Sequence, residues 1–107
     1  DHEYLAQACF FASQAAEKAL KSALLECGIE PPHTHSLMEL VRALESEGLG
    51  VTSLETLPLR ALSRMAISSR YPLDATPPSE LFDLGETDAA IRTASEVIQI
   101  LKRLDQN

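Results

Sequence analysis

The chain has 107 residues, a formal net charge of -7 at pH 7, and 45% hydrophobic residues. This composition provides for one domain with one core and excludes an intrinsically disordered chain. The acidic charge disfavours general binding to nucleic-acid backbones, and no apolar run reaches the about 20 residues that a membrane span needs. We therefore expect a single domain over residues 1–107 that binds neither membrane nor nucleic acid.

The first predicted helix runs from about Glu3 to Cys27. It contains neither glycine nor proline and is rich in residues of high helix propensity. Gly28, followed closely by two prolines, marks its end. Small residues dominate its apolar face, so a neighbouring helix could approach closely. Steps of three and four residues define this predicted stripe, which consists of Leu5, Ala8, Ala12, Ala15, Ala19 and Ala23.

The same helix carries a polar face with two interpretations. Gln14, Lys18 and Lys21 follow one another at steps of four and three residues, and Glu17 stands four residues before Lys21. Physical chemistry alone favours a solvated face with one i,i+4 ion pair between Glu17 and Lys21. The alternative is that the two lysines bind an anionic ligand.

Two shorter helices are predicted next. One covers about 36–47, where Ser36 has the position of a capping residue. The other begins near Thr52, but Pro58 lies inside it. We expect a break at this proline, after which a helix continues from Leu59 towards Ser69.

The charges are unevenly distributed along the following part of the chain. Residues 56–73 contain three arginines, Arg60, Arg64 and Arg70, and no acid, whereas residues 74–88 contain five acids and no base. A phosphate-binding surface should include the arginines, unless they pair with the acids that follow. The predicted loop at about 70–84 is long for a compact domain and is a candidate functional loop.

The last predicted helix runs from about Thr87 to Leu104. Its apolar stripe consists of Ala90, Ala94, Val97, Leu101 and Leu104. This helix and the first are the long ones, and we expect them to pack roughly antiparallel as the spine of an all-α bundle.

The cysteines and histidines indicate neither a disulfide nor a metal site. Cys9 and Cys27 fall 18 residues apart in one predicted helix, which separates them by about 27 Å. We expect reduced, buried thiols and a cytoplasmic location. His33 and His35 are close in sequence but have too few partners nearby for a zinc site, so no metal is expected.

Taken in order, four segments resemble the HEPN (higher eukaryote and prokaryote nucleotide-binding) domain family. They are the run from Ala8 to Lys21, the run from Thr34 to Leu40 after Gly28 and Pro32, the segment Ser69-Arg70-Tyr71-Pro72, and the Ala-rich closing helix. The resemblance extends over about residues 4–104. It implies an antiparallel up-and-down helical bundle of HEPN type, with two long helices plus shorter ones, that is usually a homodimer.

The resemblance also implies a nucleotide ligand, ATP or GTP. HEPN domains occur beside minimal nucleotidyltransferases in bacteria and after a DnaJ segment in the chaperone-like protein sacsin, so either system could supply a partner domain. We therefore expect a non-catalytic module for nucleotide binding and dimerisation. Arginines would hold phosphate oxygens and a tyrosine would stack on the base. The candidate ligand residues are Lys18, Lys21, His35, Arg64, Arg70 and Tyr71.

This sequence departs from the family pattern in two ways. Family members usually have a helix before the signature helix, which here is shorter, absent or lost from the fragment; its loss would expose an apolar groove for a partner chain. Ribonuclease members carry an arginine followed four to six residues later by a histidine, and no arginine precedes His2, His33 or His35. RNA cleavage is therefore not expected. A pure assembly module without ligand is the other alternative.

Overall fold

The computed structural model describes residues 2–48, 52–70 and 84–105. All regular structure within these ranges is helical, which confirms the predicted all-α fold class. No helix in the described part of the chain is long and apolar enough to cross a membrane. The elements are α1 (His2–Glu26), α2 (Leu37–Ser46), a short 3-10 helix (Thr52–Thr56), α3 (Leu59–Arg70) and α4 (Leu84–Asp105).

The sequence signals for helix boundaries agree with the structure. Pro58 lies between the 3-10 helix and α3, as predicted, because proline cannot donate the backbone hydrogen bond that a continuous helix needs. The last helix begins at Leu84, earlier than the predicted start at Thr87, and Glu86 places a negative charge in its first turn, where the helix dipole favours it. The predicted loop falls mainly on residues 71–83, which lie outside the described residues.

The central helix of the bundle is α1, which packs against α2, α3 and α4, most extensively against α4. Near the start of both long helices, Cys9 Sγ lies 3.5 Å from Thr87 Oγ1. Only seven residues of α1 precede Cys9, whereas 18 residues of α4 follow Thr87, so extensive packing requires the two helices to run in the same direction. The long pair is therefore parallel rather than antiparallel as expected. An antiparallel pair that meets at Cys9 and Thr87 would overlap only near the starts of the two helices, which does not allow extensive packing.

The buried face of α1 is rotated relative to the predicted stripe. Leu20 and Leu24 are fully buried, whereas Ala15 of the predicted stripe is exposed. A leucine buries far more apolar area than an alanine, so the two leucines decide which face turns inward. The core consists of Ala6, Cys9, Ala12, Ala16, Leu20 and Leu24 of α1, Leu37, Leu40, Val41 and Leu44 of α2, Leu54 of the 3-10 helix, Leu59 and Leu62 of α3, and Ala90, Ala94 and Val97 of α4.

The two cysteines are unpaired and have different surroundings. Cys9 is buried beside α4. Burial raises the pKa of its thiol, the hydrogen bond with Thr87 opposes this rise, and the charge of Glu86 adds to it. Cys27 is exposed in the turn after α1, which corrects the expectation that both thiols are buried.

In the native protein at pH 8, we expect Cys27 to react quickly with a thiol-specific reagent and Cys9 to react slowly. The thiolate is the reactive form, and both burial and a raised pKa keep Cys9 protonated and inaccessible. Unfolding in urea should make the two thiols react alike, and Cys27→Ser should remove the fast phase alone. Two equally fast thiols in the native protein would contradict the buried position of Cys9.

Candidate functional site

A buried carboxylate on α1 forms the centre of the candidate site. Glu17 Oε2 accepts a hydrogen bond from Lys21 Nζ at 3.0 Å, and Glu17 Oε1 lies 3.1 Å from His35 Nδ1. The side chain of Glu17 is only 8% exposed, whereas those of Lys21 and His35 are 30% and 69% exposed. One buried anion therefore holds two nitrogen-bearing side chains at the surface.

The chain reversal after α1 brings His35 back to Glu17. Gly28 has a φ of 78°, in the left-handed region that favours glycine. The backbone N–H of Gly28 donates to the carbonyl of Leu25 at 2.9 Å, and the N–H of Ile29 donates to that of Leu24 at 3.0 Å. These bonds satisfy carbonyls at the end of α1 and fix the direction in which the chain leaves it.

Hydroxyl groups hold the start of α2 in place. Ser36 Oγ accepts the backbone N–H of Glu39 at 3.3 Å and caps the helix, as the sequence predicted. Thr34 Oγ1 accepts the N–H of Ser36 at 3.0 Å. Ser63 Oγ of α3 accepts the N–H of Leu37 at 3.1 Å. The residues on both sides of His35 are therefore fixed, which limits where its imidazole can lie.

The cluster can present donors to an anion. The Lys21 ammonium has three N–H donors and directs one to Glu17. Since His35 directs Nδ1 towards Glu17, its Nε2 lies on the opposite edge of the ring, in a side chain that is mostly exposed. A protonated imidazole would donate from Nε2 to a ligand oxygen. The arrangement is suited to holding a phosphate, with the positions of both donors fixed by Glu17.

The other predicted ligand residues do not belong to the cluster formed by Glu17, Lys21 and His35. Lys18 is exposed on α1. Arg64 is exposed on α3, next in sequence to Ser63, and so lies within one residue of the contact between α2 and α3. Arg70 is the last residue of α3, but its side chain and the whole of Tyr71 lie outside the described residues. The structure thus brings Lys21 and His35 together on Glu17 and leaves Lys18 and Arg64 exposed outside that cluster.

Sequence reasoning assigned Glu17 only to a surface ion pair and missed its burial. The signal was present, because Ser13, Glu17, Leu20 and Leu24 follow one another at helical steps of four, three and four. All four are buried. A carboxylate that continues the spacing of buried leucines indicates an ion enclosed at the edge of the core, which needs partners there.

A second pair of carboxyl groups lies at the far end of α2. A hydrogen bond with Glu55 raises the pKa of Glu45; burial and the negative charge of Glu55 raise it further, and Arg42 lowers it. The described residues contain no group of three or more side chains that could hold a metal ion. We assign this pair no ligand.

Comparison with known proteins gives one match. A family model described as HEPN domain matches residues 1–104, nearly the whole chain. No curated protein and no solved structure gives a significant match. The matched range includes α1, with Glu17, and the other described helices except Asp105, the last residue of α4. The chain therefore belongs to the HEPN domain family.

Proposed function

We propose that this HEPN domain is a non-catalytic module that binds a nucleoside triphosphate, ATP or GTP, and forms a homodimer. The proposal of nucleotide binding rests on one observation, which is that the two carboxylate oxygens of the buried Glu17 contact Lys21 and His35. The module would serve a larger cytoplasmic system, either chaperone-like in the manner of sacsin or associated with a nucleotidyltransferase.

Burial of Glu17 supports a functional role, because a buried carboxylate connects α1 to the start of α2 at a large cost in desolvation free energy. Removing a carboxylate from water costs several kcal/mol, and apolar side chains of similar volume often stabilise a protein as well as a buried ion pair does. A carboxylate offers something that an apolar group cannot, since it fixes the direction of Lys21 and His35. Donors fixed before binding lose less conformational entropy when the ligand arrives.

The charge distribution favours a small anion over a nucleic acid. The whole chain has a net charge of -7, which repels an extended phosphate backbone. A triphosphate is compact enough to contact only the local cluster of Lys21 and His35, and the exposed Arg64 is a further candidate contact. Arg70 would add a bidentate contact, and Tyr71 would stack on the base.

A non-catalytic role agrees with the histidine content. The ribonuclease pattern of an arginine followed by a histidine is absent from the sequence. His35 is bound to a carboxylate and has no arginine before it in the chain. The arginine that ribonuclease members place four to six residues before a histidine has no counterpart in this sequence, so we propose no RNA cleavage through that motif.

The second candidate is an assembly module that binds no nucleotide. In that case the Glu17 cluster would only connect α1 to the start of α2. The observation in its favour is the large exposed apolar surface of α1, which includes Tyr4 and Phe11.

We expect millimolar Mg-ATP or Mg-GTP to raise the melting temperature, since a ligand at 100 times its Kd stabilises the native state by about 2.7 kcal/mol. Arg64→Ala and Arg70→Ala should each reduce this shift, whereas Arg92→Ala on the exposed side of α4 should not. A panel with inorganic triphosphate separates phosphate contacts from base contacts. An unchanged melting temperature with every nucleotide would refute nucleotide binding and favour the assembly module.

A further inference from the structure

The outer face of α1 is directed away from the core. Because each residue of a helix turns by about 100°, Phe11 lies on the opposite side of α1 from the buried Leu20. Three large apolar side chains on this face are strongly exposed, namely Tyr4 at 74%, Phe11 at 63% and Leu25 at 61%. Alternating steps of four and three residues define the outer face, which consists of Tyr4, Ala8, Phe11, Ala15, Lys18, Ser22 and Leu25. Such spacing is that of a seam between two packed helices.

We propose that the α1 outer face is the homodimer interface, and that it packs antiparallel against the same face of a second copy. This assignment rests on the dimerisation half of the proposed function and specifies its surface. A symmetric dimer requires one patch to be complementary to itself. The outer face meets this requirement in its order of large, small and charged residues.

Residues on the outer face are arranged symmetrically about one midpoint. Tyr4 and Leu25 lie equally far from a point between residues 14 and 15, and Phe11 and Lys18 share that midpoint. Antiparallel pairing therefore places Tyr4 against Leu25 of the second copy and Phe11 against Lys18 of the second copy. Ala15 lies next to the two-fold axis, where a small side chain lets the helices approach closely.

Charge selects this orientation over the parallel one. In an antiparallel pair the Lys18 ammonium lies over the Phe11 ring of the second copy, a favourable cation–π contact. In a parallel pair the two Lys18 side chains would face each other at the same level, and their like charges would repel. The lysine therefore favours a second copy of this chain in the antiparallel orientation over the parallel one.

Sedimentation of point variants tests the surface. We expect the wild-type protein to be a dimer at micromolar concentration, and Phe11→Asp to be a monomer with unchanged helical content. Ile91→Asp is the matched control, because Ile91 is a 46% exposed apolar residue on α4, and it should remain a dimer. A Phe11→Asp dimer would overturn the interface while leaving dimerisation intact. A monomeric wild type would overturn both.

Cross-linking with a short bis-maleimide tests the orientation without disrupting the interface. In a Cys27→Ser background, Ala15→Cys should cross-link to itself, and Ala8→Cys mixed with Ser22→Cys should form the mixed dimer. Ser22→Cys alone should not, because antiparallel packing separates its two copies by about 22 Å. Efficient cross-linking of Ser22→Cys to itself would show a parallel pair and refute the proposed orientation.

Discussion

Leu20→Ala should lower the free energy of unfolding by about 2–5 kcal/mol, the largest loss that we expect from a single side-chain truncation in this domain. Leu20 is completely buried in the C-terminal third of α1, which packs against the other three α-helices. Truncation removes apolar contacts and leaves a cavity that a helix held on several sides cannot close. For a small domain of marginal stability, such a loss is a large fraction of the total.

Urea unfolding followed by circular dichroism measures this loss. Leu84→Ala is the matched control, because it deletes the same atoms from a side chain that is 70% exposed at the start of α4. The control should change stability by less than about 0.5 kcal/mol. Protein concentration must be equal in all samples, since a dimer gains stability with concentration. Equal losses at the two positions would contradict the assigned inner face of α1.

Local signals in the sequence were sufficient to predict most of the helices. Gly28 ends α1 through its positive φ, and Pro58 separates the 3-10 helix from α3. Each of these effects depends on a single residue and its neighbours in the chain. The face of α1 that is buried was harder to predict, because alanines are numerous on several faces of this helix. Only the relative area of leucine and alanine distinguishes the face that is buried.

Relations between distant segments were not predictable from spacing. The parallel orientation of α1 and α4 depends on how the intervening helices reverse the chain, and no single residue encodes it. Likewise, the contact between Glu17 and Lys21 was visible as an i,i+4 pair, but the contact with His35 depends on the turn at Gly28. Ser63, which fixes the start of α2, gave no signal because serine is common on helix surfaces.

Glu17→Met should weaken nucleotide binding about tenfold while changing stability by less than about 1 kcal/mol. Methionine fills a similar volume, but its thioether sulfur is only a weak hydrogen-bond acceptor for Lys21 and His35. Both freed side chains are partly or mostly exposed and can be hydrated, so neither becomes a buried unpaired charge. They would, however, lose the fixed positions that Glu17 gives them, and the ligand would have to order them on binding.

Simple electrostatics predicts the opposite change in nucleotide affinity for Glu17→Met. Deleting a negative charge near a phosphate site should increase affinity if Glu17 contributes only its charge. Glu17→Gln is the conservative variant, because its one carbonyl oxygen can still accept from one of the two partners. Its affinity should be intermediate. Glu30→Met, which removes an exposed carboxylate from the loop before α2, is the control for net charge.

Calorimetric titration of Mg-ATP and Mg-GTP into the wild type, Glu17→Met and Glu30→Met at one ionic strength is the most direct test of a positioning role for Glu17. If this buried carboxylate prepares Lys21 and His35 for phosphate, the Glu17 variant binds about tenfold more weakly than the wild type, and the Glu30 variant binds equally well or more tightly. Equal or tighter binding by Glu17→Met would contradict that role. The contacts of Glu17 with Lys21 and His35 would then serve only to connect α1 to the start of α2.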